Sequence, residues 1–389
     1  MLHINQKLFL SVASLALLSS CGTEDLTGQA DPLADGGAEV NTASPAPTAT
    51  PTPTPVMGIA PPPPLGNVEL PIVNSGLNVD SLLNPMSIPP SGQPDVVGAF
   101  RFLCAPSHLS YDDPVVHPGK PGAAHLHQFF GNTQANANST YESLRKTGDS
   151  TCTSVLNRSA YWMPALLDGQ GSALVPNYVA IYYKRRPSSD VWFANAGNAA
   201  ADIPRGLRYV FGNPDTPSVV SFKCVNGWTP VGTAGSMTHA LNQCAVGQKL
   251  LVSVVSPDCW DGKNLDSADH RSHMSYKAWD GVKSYCPASH PYVLAQFTMT
   301  AEWNIEAGDT PAVWRFSSDM DGSAPGASFH ADWFGAWEDS IMKMWHENCI
   351  DKLLNCSDGD LGNGKIMKRN SLYPTMKADP RKVPIHTIG

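Results

Sequence analysis

Nine of the 21 residues from Ser44 to Pro64 are proline. Proline has a fixed φ and no amide hydrogen, so such a run builds neither a helix interior nor a central strand. It favours extended polyproline conformation and forms no core of its own. Charge divides the chain in the same region. Between Gly22 and Phe100 there is no Lys or Arg, and the eight acids Glu24, Asp25, Asp31, Asp35, Glu39, Glu69, Asp80 and Asp95 match the whole net charge of −8. Residues 101–389 are therefore almost neutral. Without a basic excess to neutralise phosphates, nucleic acid is excluded as a partner. Charged residues make up 15% of the chain, beside 34 Pro, 32 Gly and 10 Trp. That balance suits a loop-rich, strand-rich extracytoplasmic protein better than a helical cytosolic one.

The first residues read as an export leader. Lys7 supplies the positive region, and Leu8 to Leu18 is an apolar run too short for a membrane span of ~20 residues. The run ends in Leu18-Ser19-Ser20-Cys21, which resembles the lipobox of bacterial lipoproteins, where the cysteine becomes the acylated first residue. The alternative is an ordinary secretory leader with an incidental cysteine. The lipobox reading makes residues 1–20 a signal peptide, residues 21–95 an acylated Cys21 with a disordered Pro/Thr-rich tether, and residues 96–389 the domain. Gly22, rather than an Asp that would favour inner-membrane retention, follows the cysteine. The expected address is the bacterial cell envelope, lipid-anchored at the outer membrane.

Eight cysteines remain in the domain: Cys104, Cys152, Cys224, Cys244, Cys259, Cys286, Cys349 and Cys356. An even number in an exported domain reads as up to four disulfides. Only the close pair Cys349 and Cys356 suggests its own connection. With no CxxC pair and no Cys-His spacing, thiolate-bound structural zinc is not expected. Strands are expected at 176–183, 207–211, 219–225, 249–255, 293–303 and 312–316, all rich in β-branched and aromatic residues and bounded by turn signals. One helix is expected, from Ala336 to Asn355, because Trp337, Ile341, Met344, Trp345 and Cys349 recur at three- and four-residue spacing. Many short strands with long loops favour a mainly β single domain, a β-sandwich or jelly roll with a C-terminal helix and disulfides.

Ionisable residues gather in three phrases. In the first, His125 and His127 flank Leu126, and on an extended strand both would face one way. They are candidate ligands of one divalent metal ion, or candidate bases. The alternative is that they bond a buried carboxylate and do nothing else. The second, Cys259 to Tyr276, packs Asp261, Asp266, Asp269, His270 and His273 into a loop with few aliphatics. Either a ligand satisfies these groups or they cap turns in a disulfide-pinned loop. The third, Trp314 to Trp337, contains Asp319-Met320-Asp321-Gly322, faintly like a calcium loop but without its later ligands. It also contains His330-Ala331-Asp332, one face of a strand if extended, with Asp332 a helix N-cap if not. His290, between prolines, reads as structural, and His346 as solvated or packed.

These phrases also carry a resemblance. HLHQFFG, SAYWMPAL, CWDGKNLDSADHRSHMSY, CPASHP, WRFSSDMDG and FHADWFGAW, in this order, resemble the family of unknown function called DUF1996, over roughly Val96 to Leu361. The resemblance implies a disulfide-containing, mainly β domain in secreted or anchored proteins. Some members are joined to carbohydrate-binding modules, which implies cell-wall or polysaccharide substrates. It carries no catalytic assignment.

The leading functional expectation is thus an envelope-anchored domain that binds and cleaves polysaccharide or cell-wall glycan through a His/Asp cluster. His125, His127, Asp269, His273, His330 and Asp332 are its candidate catalytic residues, with Trp260, Arg271 and Trp333 as candidate substrate contacts. A hydrolase needs two opposed carboxylates, for which Asp269 and Asp332 are the expected pair. A lyase needs a base and a cation beside a uronic acid, for which Arg271 is near in sequence. Two other classes compete: a non-catalytic carbohydrate-binding or adhesion module using exposed tryptophans, and a metal-binding lipoprotein with no glycan interaction. If His125, His127, Asp269 and His330 lie more than ~12 Å apart, side-chain reach excludes a single cluster.

Overall fold

The computed structural model describes residues 60–92, 95–212, 217–372 and 378–388. The expected leader, Cys21 and the expected tether up to residue 59 lie outside the described residues. In chain order, the strands that build the two large sheets are β1 (Gly98–Cys104), β2 (Pro106–Ser110), β3 (His127–Gly131), β4 (Ala160–Pro164), β5 (Val179–Arg185) and β6 (Arg208–Gly212). They continue with β7 (Val220–Asn226), β8 (Thr229–Gly235), β9 (Lys249–Val255), β10 (Gln296–Asn304), β11 (His330–Phe334) and β12 (Asn355–Ser357). A seven-stranded sheet runs β8-β7-β9-β10-β5-β1-β12, and a five-stranded sheet runs β6-β11-β4-β3-β2. All neighbours are antiparallel except β1 and β12.

The two sheets share one core. Phe102 of β1 meets Tyr161 of β4, and Phe297 of β10 meets Tyr209 and Phe211 of β6 and Trp333 of β11. Packing of alternate residues from two facing sheets is the sandwich arrangement. Mainly β architecture with disulfides is what the composition predicts. The long strand pairs follow from side-chain pattern: β9 and β5 alternate buried with half-buried residues along their length, the period-two signature of a strand with one face inward.

Four disulfides join Cys104 to Cys152, Cys224 to Cys244, Cys259 to Cys286 and Cys349 to Cys356. The last is the pair that sequence proximity suggests. The C-terminal helix begins three residues later than expected, at Asp339, runs as α1 to Met344 and continues as a π-helical segment to Ile350. Trp337 precedes it and packs edge-on against Phe102 and Trp345. The strand expected at 312–316 is mostly a 3-10 turn over Pro311–Val313, leaving only Arg315–Phe316 extended. Pro311, with its fixed φ, starts that turn.

Residues 60–92, assigned by sequence to the tether, lie along the domain. Tyr292 donates to the Pro63 carbonyl and Leu70 N–H donates to Arg205. Leu83–Pro85 pairs with Lys365–Met367, while Val68, Leu77, Val79, Leu82 and Leu83 pack against the core. A proline-rich segment forms no core of its own, but nothing prevents it from extending over another's. The described domain therefore begins well before Val96.

Candidate functional site

The outer face of the five-stranded sheet, away from the sandwich core, carries the functional groups. On β11, Ala331 and Trp333 point into the core, so His330, Asp332 and Phe334 point outward. On β3, Phe130 points inward and His127 and Phe129 outward. Asp332 pairs with Trp162 on β4, Trp162 with Phe129, and His127 with Pro164. The short proline ring leaves room for imidazoles to meet above it. His125 lies 4.0 Å from His127 and 5.2 Å from His330 between ring centroids, with His127 and His330 6.2 Å apart. The expected convergence of these three is observed.

Each imidazole is held the same way. His127 Nδ1 lies 3.0 Å from the Asp112 carbonyl oxygen, and His330 Nδ1 2.8 Å from that of Ser328. A carbonyl only accepts, so both Nδ1 atoms carry the proton and both Nε2 atoms present a lone pair. His125 Nδ1 lies 3.2 Å from Ser317 Oγ and 3.4 Å from the Leu126 carbonyl oxygen. Because the Ser317 hydroxyl donates to Leu126 O, it accepts from His125, giving the same tautomer. Burial, followed by repulsion between the rings, lowers the pKa of His127 well below the ordinary value. The same two causes bring His330 down to about 3, and burial lowers His125. All three are neutral near pH 7.

Two carboxyls lie beneath. His330 Nε2 is 3.7 Å from Asp332 Oδ2. Asp113, His127 and Asp332 each offer an atom within 4.8 Å of the others, as do His125, His127 and His330. Asp113 Oδ1 accepts from the amides of Val115 and Val116, both at 2.8 Å. Burial, reinforced by Asp113, raises Asp332 well above the carboxylate range, and burial also raises Asp113. Both Asp332 oxygens and His127 Nε2 are buried without a hydrogen-bond partner. Native proteins rarely leave such atoms unsatisfied.

Sequence reasoning missed Asp113 and His117. Asp113 sits in an Asp-Asp-Pro turn, where a lone acid carries no visible signal. His117, in the same loop, lies near enough to oppose protonation of His125 and His127.

The other expected residues are elsewhere in function. Asp269 Oδ1 accepts from the amides of Arg271 and Ser272 and from the hydroxyls of Ser267 and Ser272. Those amide and hydroxyl bonds hold its carboxyl far below the ordinary range. It caps a turn and is not the partner of Asp332. His273 is buried with both nitrogens engaged, Nε2 donating to the Arg208 carbonyl at 3.0 Å and Nδ1 2.8 Å from Ser267 Oγ, so neither is open to a ligand. Trp260 and Trp333 are fully buried and present no stacking face. Asp332 lies within β11, so it is not an N-cap. Arg271 does belong beside the cluster: its Nη1 is 3.5 Å from the carbonyl oxygen of Val210, the residue paired with Asp332.

Asp319 closes its own loop by accepting from Phe316, Gly326 and Ser328, which removes the calcium reading. His290 bridges Ser289 and the Ser272 carbonyl, a structural role as expected, and His346 is buried in packing. Asp258, Cys259 and Cys286 also cluster, but the two sulfurs are bonded to each other. A recess of about 580 Å³ is lined by His108, Gln128, Asn177 and C-terminal residues. It reaches Gln128, which alternates to the opposite face of β3 from His127, and includes none of the cluster.

The family model described as a domain of unknown function, DUF1996, matches residues 113–337, more than half of the chain. This chain belongs to the DUF1996 family. The match runs from Asp113, one of the two buried acids of the cluster, to Trp337, and includes every residue of the His/Asp grouping. No curated protein and no solved structure matches the chain. Within this DUF1996 domain the cluster is assembled from a loop, β3 and β11, which lie far apart in sequence.

Proposed function

We propose that this protein is an exported domain, anchored through a lipid on Cys21 to the bacterial cell envelope, that binds and cleaves polysaccharide at the His125–His127–His330 cluster. The observation that carries the reading is the set of three neutral imidazoles, each with its Nδ1 engaged and each offering a ring nitrogen within 4.8 Å of the others, beside two buried carboxyls. Such groups can accept or coordinate at neutral pH without first losing a proton. His125 and His330 are only partly buried, so the cluster has an accessible side. Arg271 sits at its rim and would meet an anionic sugar. The tether suits a catalyst that must reach wall polymer from a membrane.

The test uses the full chain in mild detergent against a panel of neutral and uronic-acid polysaccharides, read as new reducing ends or unsaturated ends. Cleavage falling at least about 100-fold in His330→Ala is the expected result, on the scale of losing one participant in acid–base chemistry. Absence of cleavage across the panel contradicts the reading. The non-catalytic module has one specific support: Trp228 and Trp279 are exposed indoles. Glycan binding that survives His330→Ala but disappears in Trp228→Ala or Trp279→Ala, without cleavage, would favour that module.

A further inference from the structure

Asp332 exposes none of its surface, so no polymer touches it. What reaches its carboxyl is an ion, a water or a proton. We propose that His125, His127, His330 and Asp332 bind one divalent first-row transition metal, with Asp113 as the carboxylate behind it. This deepens the polysaccharide reading by naming the cofactor, but it does not rest on that reading.

The donor atoms are of the right kind and orientation. Imidazole Nε2 with Nδ1–H bonded to a backbone carbonyl is the usual state of a metal-bound histidine, because the outer bond fixes the ring and raises its basicity. His127 and His330 have that arrangement and His125 approximates it. A three-nitrogen, one-oxygen set suits zinc, iron, copper or nickel, whereas calcium and magnesium prefer oxygen throughout. Bonds of about 2.0–2.1 Å from a tetrahedral centre put ligand atoms ~3.3 Å apart. The nitrogens here lie within 4.8 Å of one another, so each ring closes inward by about 1 Å or less on binding.

A cation also explains what is otherwise costly. Asp332 and His127 are buried, and His127 Nε2 and both Asp332 oxygens have no hydrogen-bond partner. Asp113 lies beside Asp332, and two adjacent buried carboxyls among neutral imidazoles are unfavourable as carboxylates. Arg271 is the nearby cation, yet neither Asp332 oxygen is hydrogen-bonded to it. An ion among the Nε2 atoms satisfies His127, His330 and Asp332 together. The accessible side, between His125 and His330, leaves room for water or substrate as a fifth ligand, on a centre that expands from four- to five-coordinate.

The test is elemental analysis of the full chain, purified in detergent without chelator, then stripped and titrated separately with Zn²⁺, Mn²⁺, Fe²⁺, Cu²⁺ and Ni²⁺. About one equivalent of at least one ion is expected. His127→Ala and Asp332→Asn should each weaken it at least about 10-fold, while Asp269→Asn leaves it unchanged. Should His127→Ala fail to fold, the half-buried His125→Ala replaces it. A stripped, folded wild type that takes up none of these ions overturns the proposal, as does uptake unchanged in every cluster variant. Metal bound without any glycan cleavage keeps the centre and removes the polysaccharide reading. Cleavage unaffected by stripping keeps that reading and takes the metal out of its chemistry, while uptake alone still decides the centre.

Discussion

Two regions of this protein are equally loaded with histidine and aspartate, and the structure treats them in opposite ways. In the loop from Cys259 to Tyr276, the side chains find partners within the loop or on the adjoining strand. Asp269 collects four local donors, His273 is bonded at both nitrogens, and Asp266 pairs with His270 and Arg208. On the outer face of the five-stranded sheet, His127 Nε2 and both oxygens of Asp332 are buried with nothing to bond. Local density of ionisable residues therefore says little about function. Whether the fold satisfies them says more, because an unsatisfied buried polar atom is stabilising only when something else arrives.

The comparison can be broken in four places. The largest effect is expected at Trp333, which sequence reasoning offered as a sugar contact. Its removal from the core between Tyr209 and Phe297 should destabilise the domain by about 3–5 kcal/mol, measured by urea unfolding. A loss near zero would return it to the surface. Next, Asp332→Asn keeps the shape but removes the carboxyl that would ionise on binding the proposed cation. It should abolish at least about 99% of activity, equivalent to about 2.7 kcal/mol, while Asp269→Asn leaves kcat within about twofold of wild type.

Third, His273→Gln should destabilise by about 1–3 kcal/mol through its two lost buried bonds and leave activity intact, whereas the half-buried His125→Ala should lose activity with little change in stability. The acid limb of stability sharpens this contrast. Burial lowers the His273 pKa, so the unfolded chain binds its proton first. The stability from the neutral ring is present above the ordinary pKa of ~6.5 and is lost as pH falls toward the folded value. In His273→Gln that part of the decline below pH ~6.5 should vanish. A profile parallel to wild type would mean that other groups dominate it. The smallest effect belongs to Asp269→Ala, about 1 kcal/mol after solvent screening, seen as a slight drop in thermal midpoint.

Much of the sandwich was legible because the seven-stranded sheet alternates. The strands β9, β10 and β7 lie within a few residues of where branched and aromatic runs place them. The sheet that holds the site was the harder one. His127–Gly131 and Ala160–Pro164 are buried at every residue, so they show no period-two pattern and read as short apolar runs. The phrases were conspicuous, but their strand character was not. The pairing of His125 with His127, and of His330 with Asp332, followed from i, i+2 geometry. Asp113 did not, since its approach to Asp332 depends on how a long loop folds over the sheet. The tether was misjudged in extent because composition reports that a segment has no core, not whether it borrows one.

The most direct test is a crystal structure of the chain purified without chelator, with anomalous data collected above and below the absorption edges of zinc, iron and copper. The account predicts one anomalous peak about 2 Å from the Nε2 atoms of His125, His127 and His330, with the Asp332 carboxylate turned toward it. No peak in crystals soaked with each ion, with Asp332 instead sharing a proton with Asp113, would contradict it.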